Sequence, residues 1–231
     1  IAASRNNGIR QASGDYIAFL DSDDWWDKTK LELSIDQLDK ADLVYHDLEV
    51  FVEGIKDSSG LRKGRELGEN PLHNMIVNGS CIANSSVVMT KSIQDRVGFL
   101  SEDRSIVTVE DFDFWLRAAK AGCRFKYLNS PLGCYWVHKG SSTLAPLKTV
   151  KRLENLLTIH AADLPRPVVR HARANLQFRL IKEKCKINEK TKIQMWLSTM
   201  RWLPKLEHKI QCLILLTITK ISPELASKVL K

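Results

Sequence analysis

Apolar positions in the first half of the chain recur at two periods, and the two alternate. Ala2, Ala3, Ile9 and Ala12 space out a short helix over residues 2–12, with Gly14 where a left-handed cap costs least. The run YIAFL at 16–20 is continuous, β-branched and aromatic, and predicts a parallel-sheet strand buried on both faces. Leu31, Ile35 and Leu38 return to helical spacing and predict an amphipathic helix over 27–40. Further strands are predicted at 42–52, 86–90 (SVVMT) and 125–128, and a helix at 111–121 that Gly122 stops. Residues 56–69, rich in Gly, Ser and charge, predict a loop. Alternation of this kind predicts an α/β layered fold with a mostly parallel sheet flanked by helices.

The pattern changes after the GSST loop, and a boundary near Ala145-Pro146 divides the chain into 1–147 and 148–231. The second part predicts basic helices at 148–160 and 167–184, with Leu153, Leu156, Leu157, Leu176, Phe178, Leu180 and Ile181 as their apolar positions. The stretch IQCLILLTITKIS at 210–222 is apolar but interrupted by Lys220, and falls short of the roughly twenty residues that span a bilayer. Charge divides along the same line. Residues 1–147 hold 17 Lys/Arg against 21 Asp/Glu, and residues 148–231 hold 18 against 6. The mildly acidic part and the strongly basic part therefore suit different tasks.

Composition narrows the class. With 231 residues, 44% hydrophobic and 27% charged, the chain is an ordinary globular protein with one good core and an appendage. Its five cysteines are widely spaced and form no CxxC pair, which argues against a disulfide framework or a zinc site and for a reducing, cytoplasmic setting. The first residue is Ile1 and no charged-then-apolar leader follows, so no signal peptide is expected and the sequence reads as a fragment of a longer protein.

Three constellations carry chemistry. In LDSDDWW, Asp21, Asp23 and Asp24 crowd the end of an apolar strand. A turn and a helix N-cap would use one or two of these carboxylates. All three together cost stability unless a cation neutralises them, and hard oxygen ligands select Mg²⁺ or Mn²⁺ with substrate phosphates completing the shell. Strand ends are also where open α/β sheets bind ligands. In VEDFDFWLRAAKAG, Glu110, Asp111 and Asp113 open a helix. Asp113 serves as capping charge and as a partner for Arg117 one turn on. Glu110 and Asp111 exceed what a cap needs, and a carboxylate in a cleft is what takes a proton from a hydroxyl nucleophile. In GCYWVHKGSSTL, His138 ends a strand before a small-residue loop, where it is either solvated or a metal or phosphate contact.

The successive blocks ASRNNGIRQASGDYIAFLDSDDWW, NGSCIANSSVVMTKSIQDRVGFLSED, VEDFDFWLRAAKAG and CYWVHKGSST resemble, in order, those of family 2 glycosyltransferases. The likeness spans residues 2–145 and implies the GT-A fold, a Rossmann-like, mostly parallel sheet whose N-terminal strands are missing here, followed by a C-terminal helical appendage. It implies an inverting transfer from a nucleotide-sugar, a UDP-sugar above all, to a hydroxyl acceptor in polysaccharide or glycolipid synthesis. Asp21-Ser22-Asp23 then matches the DXD motif, with Asp23 on a Mn²⁺ or Mg²⁺ ion and Asp21 facing the ribose or a metal-bound water. Asp111 matches the catalytic base with Glu110 as its neighbour, Arg5, Asn84 and Ser86 match donor contacts, and His138 matches a histidine near the metal or diphosphate. The family's opening strand ending in Pro-x-Tyr/Phe-Asn, and the Asp that reads the base, have no counterpart, so the uridine-binding half of the pocket is expected to lie outside this chain.

Two other classes compete. A metal-dependent nucleotidyltransferase acting on sugar phosphates also clusters carboxylates, but the acidic part lacks a basic triphosphate signature. A nucleic-acid-binding protein would account for the basic tail, yet that tail has leucines where a binding face needs polar residues, so no nucleic acid partner is expected. The tail reads either as a helical appendage on the catalytic domain or as a peripheral dock. In the second case Lys/Arg-rich helices, with Trp196 and Trp202 nearby, would meet an anionic membrane surface at the inner face and bring the enzyme to a lipid-linked saccharide acceptor.

Overall fold

The computed structural model describes residues 1–55, 59–141, 145–187, 189 and 191–230. Residues 56–58 of the predicted 56–69 loop, and residues 142 and 143 of the GSST loop, lie outside that range. Two compact units are present, residues 1–75 with 79–144, and residues 76–78 with 145–231.

The first unit is a mixed α/β layer. In chain order it contains α1 (Ala2–Gln11), β1 (Tyr16–Ala18), β2 (Trp25–Trp26), α2 (Lys30–Ile35), β3 (Leu43–Val52), β4 (Gly60–Arg62), the start of α3 (Pro71–Asn78), β5 (Val88–Thr90), α4 (Ser92–Val97), α5 (Glu110–Lys120) and β6 (Phe125–Val137). The sheet runs β1-β5-β3-β6-β2, and β4 adds to β3. Its centre is β3, whose first six residues are all buried, paired in parallel with β6.

The predicted sheet was mostly parallel. Among the described pairs only β3–β6 is parallel, and β1–β5, β3–β5, β3–β4 and β2–β6 are antiparallel. The reason is visible in β1. Ile17 and Phe19 point inward while Tyr16 and Leu20 are exposed, so YIAFL alternates as a strand with one face in the core. The segments 125–128 and 133–138, read as separate strands, mostly form one long β6 that absorbs register shifts opposite His46, Asp47 and Glu49.

Helix ends also differ from the pattern. α1 stops at Gln11 with Ala12 extended, and its last carbonyls are met by the Ala12 N–H, so Gly14 caps nothing. Gly122, at φ +71°, does stop α5 as expected. The predicted 27–40 helix is cut to α2, because Asp27 accepts the Thr29 N–H and hydroxyl ahead of it and tight turns follow Ile35. Its inward stripe is Lys30, Ser34 and Leu38, while Leu31 and Ile35 lie outside.

Lys30 is therefore fully buried, with its ammonium 3.6 Å above the Trp26 ring and no hydrogen-bond partner among the described residues. Burial lowers its pKa to about 7, and the ring face offsets part of the cost of a charged amine there. Lys30→Met is expected to stabilise the protein by ~2 kcal/mol at pH 6, since it keeps the stem and removes an uncompensated polar head. The folded state releases this proton near pH 7 and the unfolded chain only near the ordinary lysine value of 10.5. The penalty in the wild type is thus complete below pH 7 and fades as pH rises from 7 towards 10. Urea titrations of both proteins should show their stability difference shrinking over that window.

Two contacts place the site. β2 pairs with β6 so closely that a Cβ on Gly133 would lie 2.9 Å from the Trp25 carbonyl oxygen, and this draws the 21–24 loop towards the far end of β6. Phe19, two residues before Asp21, meets Trp115 edge-on at 5.9 Å, which seats α5 and its acidic first turn against β1.

The second unit is helical: α6 (Pro146–His160), α7 (Arg166–Lys186), α8 (Ile193–Trp202), α9 (Leu206–Ile221) and α10 (Pro223–Leu230). Phe178, Ile181 and Cys185 of α7, Trp196 of α8, and Cys212 and Leu215 of α9 share one core cluster. No helix among the described residues is long and apolar enough to cross a membrane. All five cysteines are free thiols.

Candidate active site

A cleft of about 110 Å³ opens in the first unit, lined by Arg5, Asp21, Asp24, Arg62, Asn84, Ser85, Thr108, Glu110, Asp111 and Tyr135, among others. Arg5, on the first turn of α1, holds it together. One guanidinium nitrogen donates to Asp21 Oδ1 at 2.6 Å and another to Glu110 Oε1 at 2.7 Å. Asp21 Oδ1 also accepts from Asn84 Nδ2 at 2.9 Å, and the Asp21 N–H donates to Ser85 Oγ at 3.0 Å. Trp26 fixes the same segment by donating its indole N–H to the Ser85 carbonyl. Arg5 thus joins α1, the 21–24 loop and α5, and Asp21 ties the 84–86 turn to them.

Asp111 stands beside this network, half-buried, with its carboxylate accepting the Phe112 N–H. Burial is the first cause and the Glu110 charge the second that raise its pKa to about 6, while Arg5 and Arg62 pull the other way. A carboxylate tuned in this way is ionised at neutral pH yet basic enough to take a proton. Two acceptors of cleft-lining residues, Asn84 Oδ1 and Glu110 Oε2, are buried without a hydrogen-bond partner among the described residues. Thr108, on the cleft wall ahead of α5, has φ +68°, a left-handed conformation that costs a β-branched residue roughly 1–3 kcal/mol.

The predicted residues divide. Arg5, Asp21, Asn84, Glu110 and Asp111 come together. Ser86 does not: it is fully buried and its hydroxyl donates to the Ala83 carbonyl, because the 84–86 turn is a 3₁₀ turn that points Ser85 at the cleft and Ser86 at the core. Glu110 is ion-paired and buried, which gives it an anchoring role distinct from proton transfer. Asp113 binds Arg117, which also reaches the Val97 and Phe99 carbonyls, so that pair is structural.

Asp23 and His138 lie outside the cleft lining, in contact with each other at 3.1 Å. His138 Nδ1 accepts the Gly140 N–H, so the neutral ring carries its proton on Nε2 and donates it to Asp23. In this arrangement Asp23 has the chemistry of a ligand for a hard divalent cation, whereas His138 is its hydrogen-bond partner and would have to give up Gly140 to ligate. No group of three metal-binding side chains converges among the described residues. Magnesium and manganese sites of one or two carboxylates rely on phosphate and water for the remainder.

Three cleft residues, Arg62, Thr108 and Tyr135, had no signal in the sequence, while Asp24 belongs to the aspartate cluster that did. Asp24 is raised in pKa by burial and accepts the Trp136 N–H. Arg62 sits 4.8 Å above the Tyr135 ring, and with Thr108 these side chains come from separate elements with no shared motif.

Comparison with known proteins bears on this arrangement. The family model described as glycosyl transferase family 2 matches residues 1–79. The amylovoran biosynthesis glycosyltransferase AmsB of Erwinia amylovora is 28% identical over 159 residues, 61% of this chain and 50% of that protein. The Escherichia coli UDP-Glc:alpha-D-GlcNAc-diphosphoundecaprenol beta-1,3-glucosyltransferase WfaP is 27% identical over 156 residues, 68% of this chain and 59% of its own length. The chain thus spans about half the length of these curated relatives. In fold it is similar to the S. aureus TarS 1–349 structure in complex with UDP-GlcNAc, with a TM-score of 0.58 and 15% identity over 100% of this chain and 70% of that one. Residues 1–79 are thus similar to glycosyl transferase family 2, the curated relatives are glycosyltransferases, and the fold resembles that of TarS 1–349.

Proposed function

We propose that the protein transfers a sugar from a nucleotide-sugar donor, a UDP-sugar in the first instance, to a hydroxyl of a saccharide or lipid-linked saccharide acceptor in polysaccharide synthesis. The observation that carries this reading is the convergence of Arg5, Asp21, Asn84, Glu110 and Asp111 on one cleft in which Asp111 is tuned towards neutrality. The names of AmsB and WfaP, and the donor bound by TarS, support the substrate class.

The reaction is a single displacement with inversion. The acceptor oxygen attacks the anomeric carbon, its proton passes to the Asp111 carboxylate, and the bond to the diphosphate breaks with its electron pair leaving on the phosphate oxygen. Arg5 holds Asp21 and Glu110 in register, which keeps the cleft wall rigid so that the donor sugar is presented for attack from the opposite face. Asp23 would hold a Mn²⁺ or Mg²⁺ ion with His138 steadying its carboxylate. Such an ion supplies Lewis-acid stabilisation of charge on the leaving diphosphate.

The test is a panel of nucleotide sugars incubated with Mn²⁺ and saccharide acceptors, read as released nucleoside diphosphate and product anomer. Turnover with a β-linked product from an α-linked donor is expected. Chelation of the divalent ion should reduce the rate roughly 100-fold or more, with recovery on adding Mn²⁺ back. Equal rates in chelator would remove the ion from the reading, and a retained anomer would remove the single displacement.

A further inference from the structure

α9 is apolar on two sides. Cys212 and Leu215 face the core of the second unit, as a packed helix requires. Yet Leu206, Ile210, Leu213 and Ile214 are 71%, 50%, 53% and 51% exposed, at the i, i+4, i+7 and i+8 spacing that puts them on one stripe turned away from that core. A helix on the surface of a water-soluble domain carries polar residues there. Lys209 and Lys220 flank the stripe along one side, Lys205 precedes it, and Glu207 is the only acidic residue of α9. α8 exposes Ile193 and Leu197, and α10 exposes Leu225 and Val229.

We propose that this face of α9 docks on an anionic lipid bilayer, with the helix lying in the headgroup plane and Leu206, Ile210, Leu213 and Ile214 immersed at the boundary of the acyl chains. Three features select lipid as the occupant. Residues 148–231 carry 18 Lys/Arg against 6 Asp/Glu, and Lys205, Lys209 and Lys220 lie on or next to α9 itself, so its charge is complementary to acidic headgroups. A second copy of the same surface would bring like charges together. At sixteen residues, α9 is shorter than the roughly twenty needed to cross a bilayer and suits an interfacial helix. The proposal rests on the second unit alone and is read without any turnover, so its failure would leave the transfer reading untouched.

The experiment is flotation of the whole chain with vesicles of phosphatidylcholine containing about 30 mol% phosphatidylglycerol, against vesicles of phosphatidylcholine alone, at low salt. Binding to the anionic vesicles, at least about tenfold weaker on the neutral ones and in 0.5 M NaCl, is the expected result. Ile210→Glu with Leu213→Glu should weaken it by about tenfold or more while the thermal midpoint shifts little, since about half of each side chain is already in water. Lys209→Glu with Lys220→Glu leaves the stripe intact and should weaken binding to anionic vesicles only. The proposal is overturned if the wild type fails to float, if the double glutamate variant floats as well as the wild type, or if light scattering shows a dimer that the same variant dissolves.

Discussion

Asp111→Asn is expected to lower the rate of sugar transfer by about 10²–10⁴-fold while leaving the donor dissociation constant within about threefold. The substitution preserves the shape of the side chain and an oxygen for the Phe112 N–H, and removes only the capacity to take a proton. The pH profile gives a second reading. With its pKa at about 6, the wild-type carboxylate is protonated in acid, so transfer should rise through pH 6 and level off above it. The residual activity of the variant should lack that limb. Turnover near the wild-type level, or an acid limb that persists in the variant, would take the base role away from Asp111.

Arg5→Met should cost about 3–5 kcal/mol in urea unfolding, the range found when one partner of a buried ion pair is removed. Arg5 and Glu110 side chains are only 18% and 3% exposed, and the remaining Glu110 oxygen has no hydrogen-bond partner among the described residues. Loss of the guanidinium strands that carboxylate and frees Asp21 as well. Adding Glu110→Gln to Arg5→Met should return a substantial part of the loss, about 1–2 kcal/mol, because the buried charge is gone. A single variant that loses under about 1 kcal/mol would mean that water already reaches Glu110.

What could be read from sequence was whatever announces itself locally. Three aspartates after an apolar run, and Glu110-Asp111 opening a helix, are more charge than local structure needs. Both mark elements that meet at the cleft. Strand direction has no such signature, since β1 and β5 look the same whichever way they pair. Ser85 and Ser86 differ in role only because a 3₁₀ turn rotates one of them inward, a matter of one residue that composition does not encode. Lys30 in place of Leu31 on the inner side of α2 runs against helical hydrophobicity, and burial beneath Trp26 is a tertiary fact. Arg62 and Tyr135 approach each other only because β4 and β6 both pair with β3.

The Arg5–Glu110 bridge joins residues 105 positions apart. During synthesis, then, α1 emerges long before the carboxylate that will neutralise Arg5, and β1 and β2 must wait for β5 and β6, with which they pair. The cleft would take shape late, once α5 packs against Phe19 and β6 brings Tyr135 to its wall. A stall anywhere upstream of that point would leave a partly folded chain with its arginine searching for a partner.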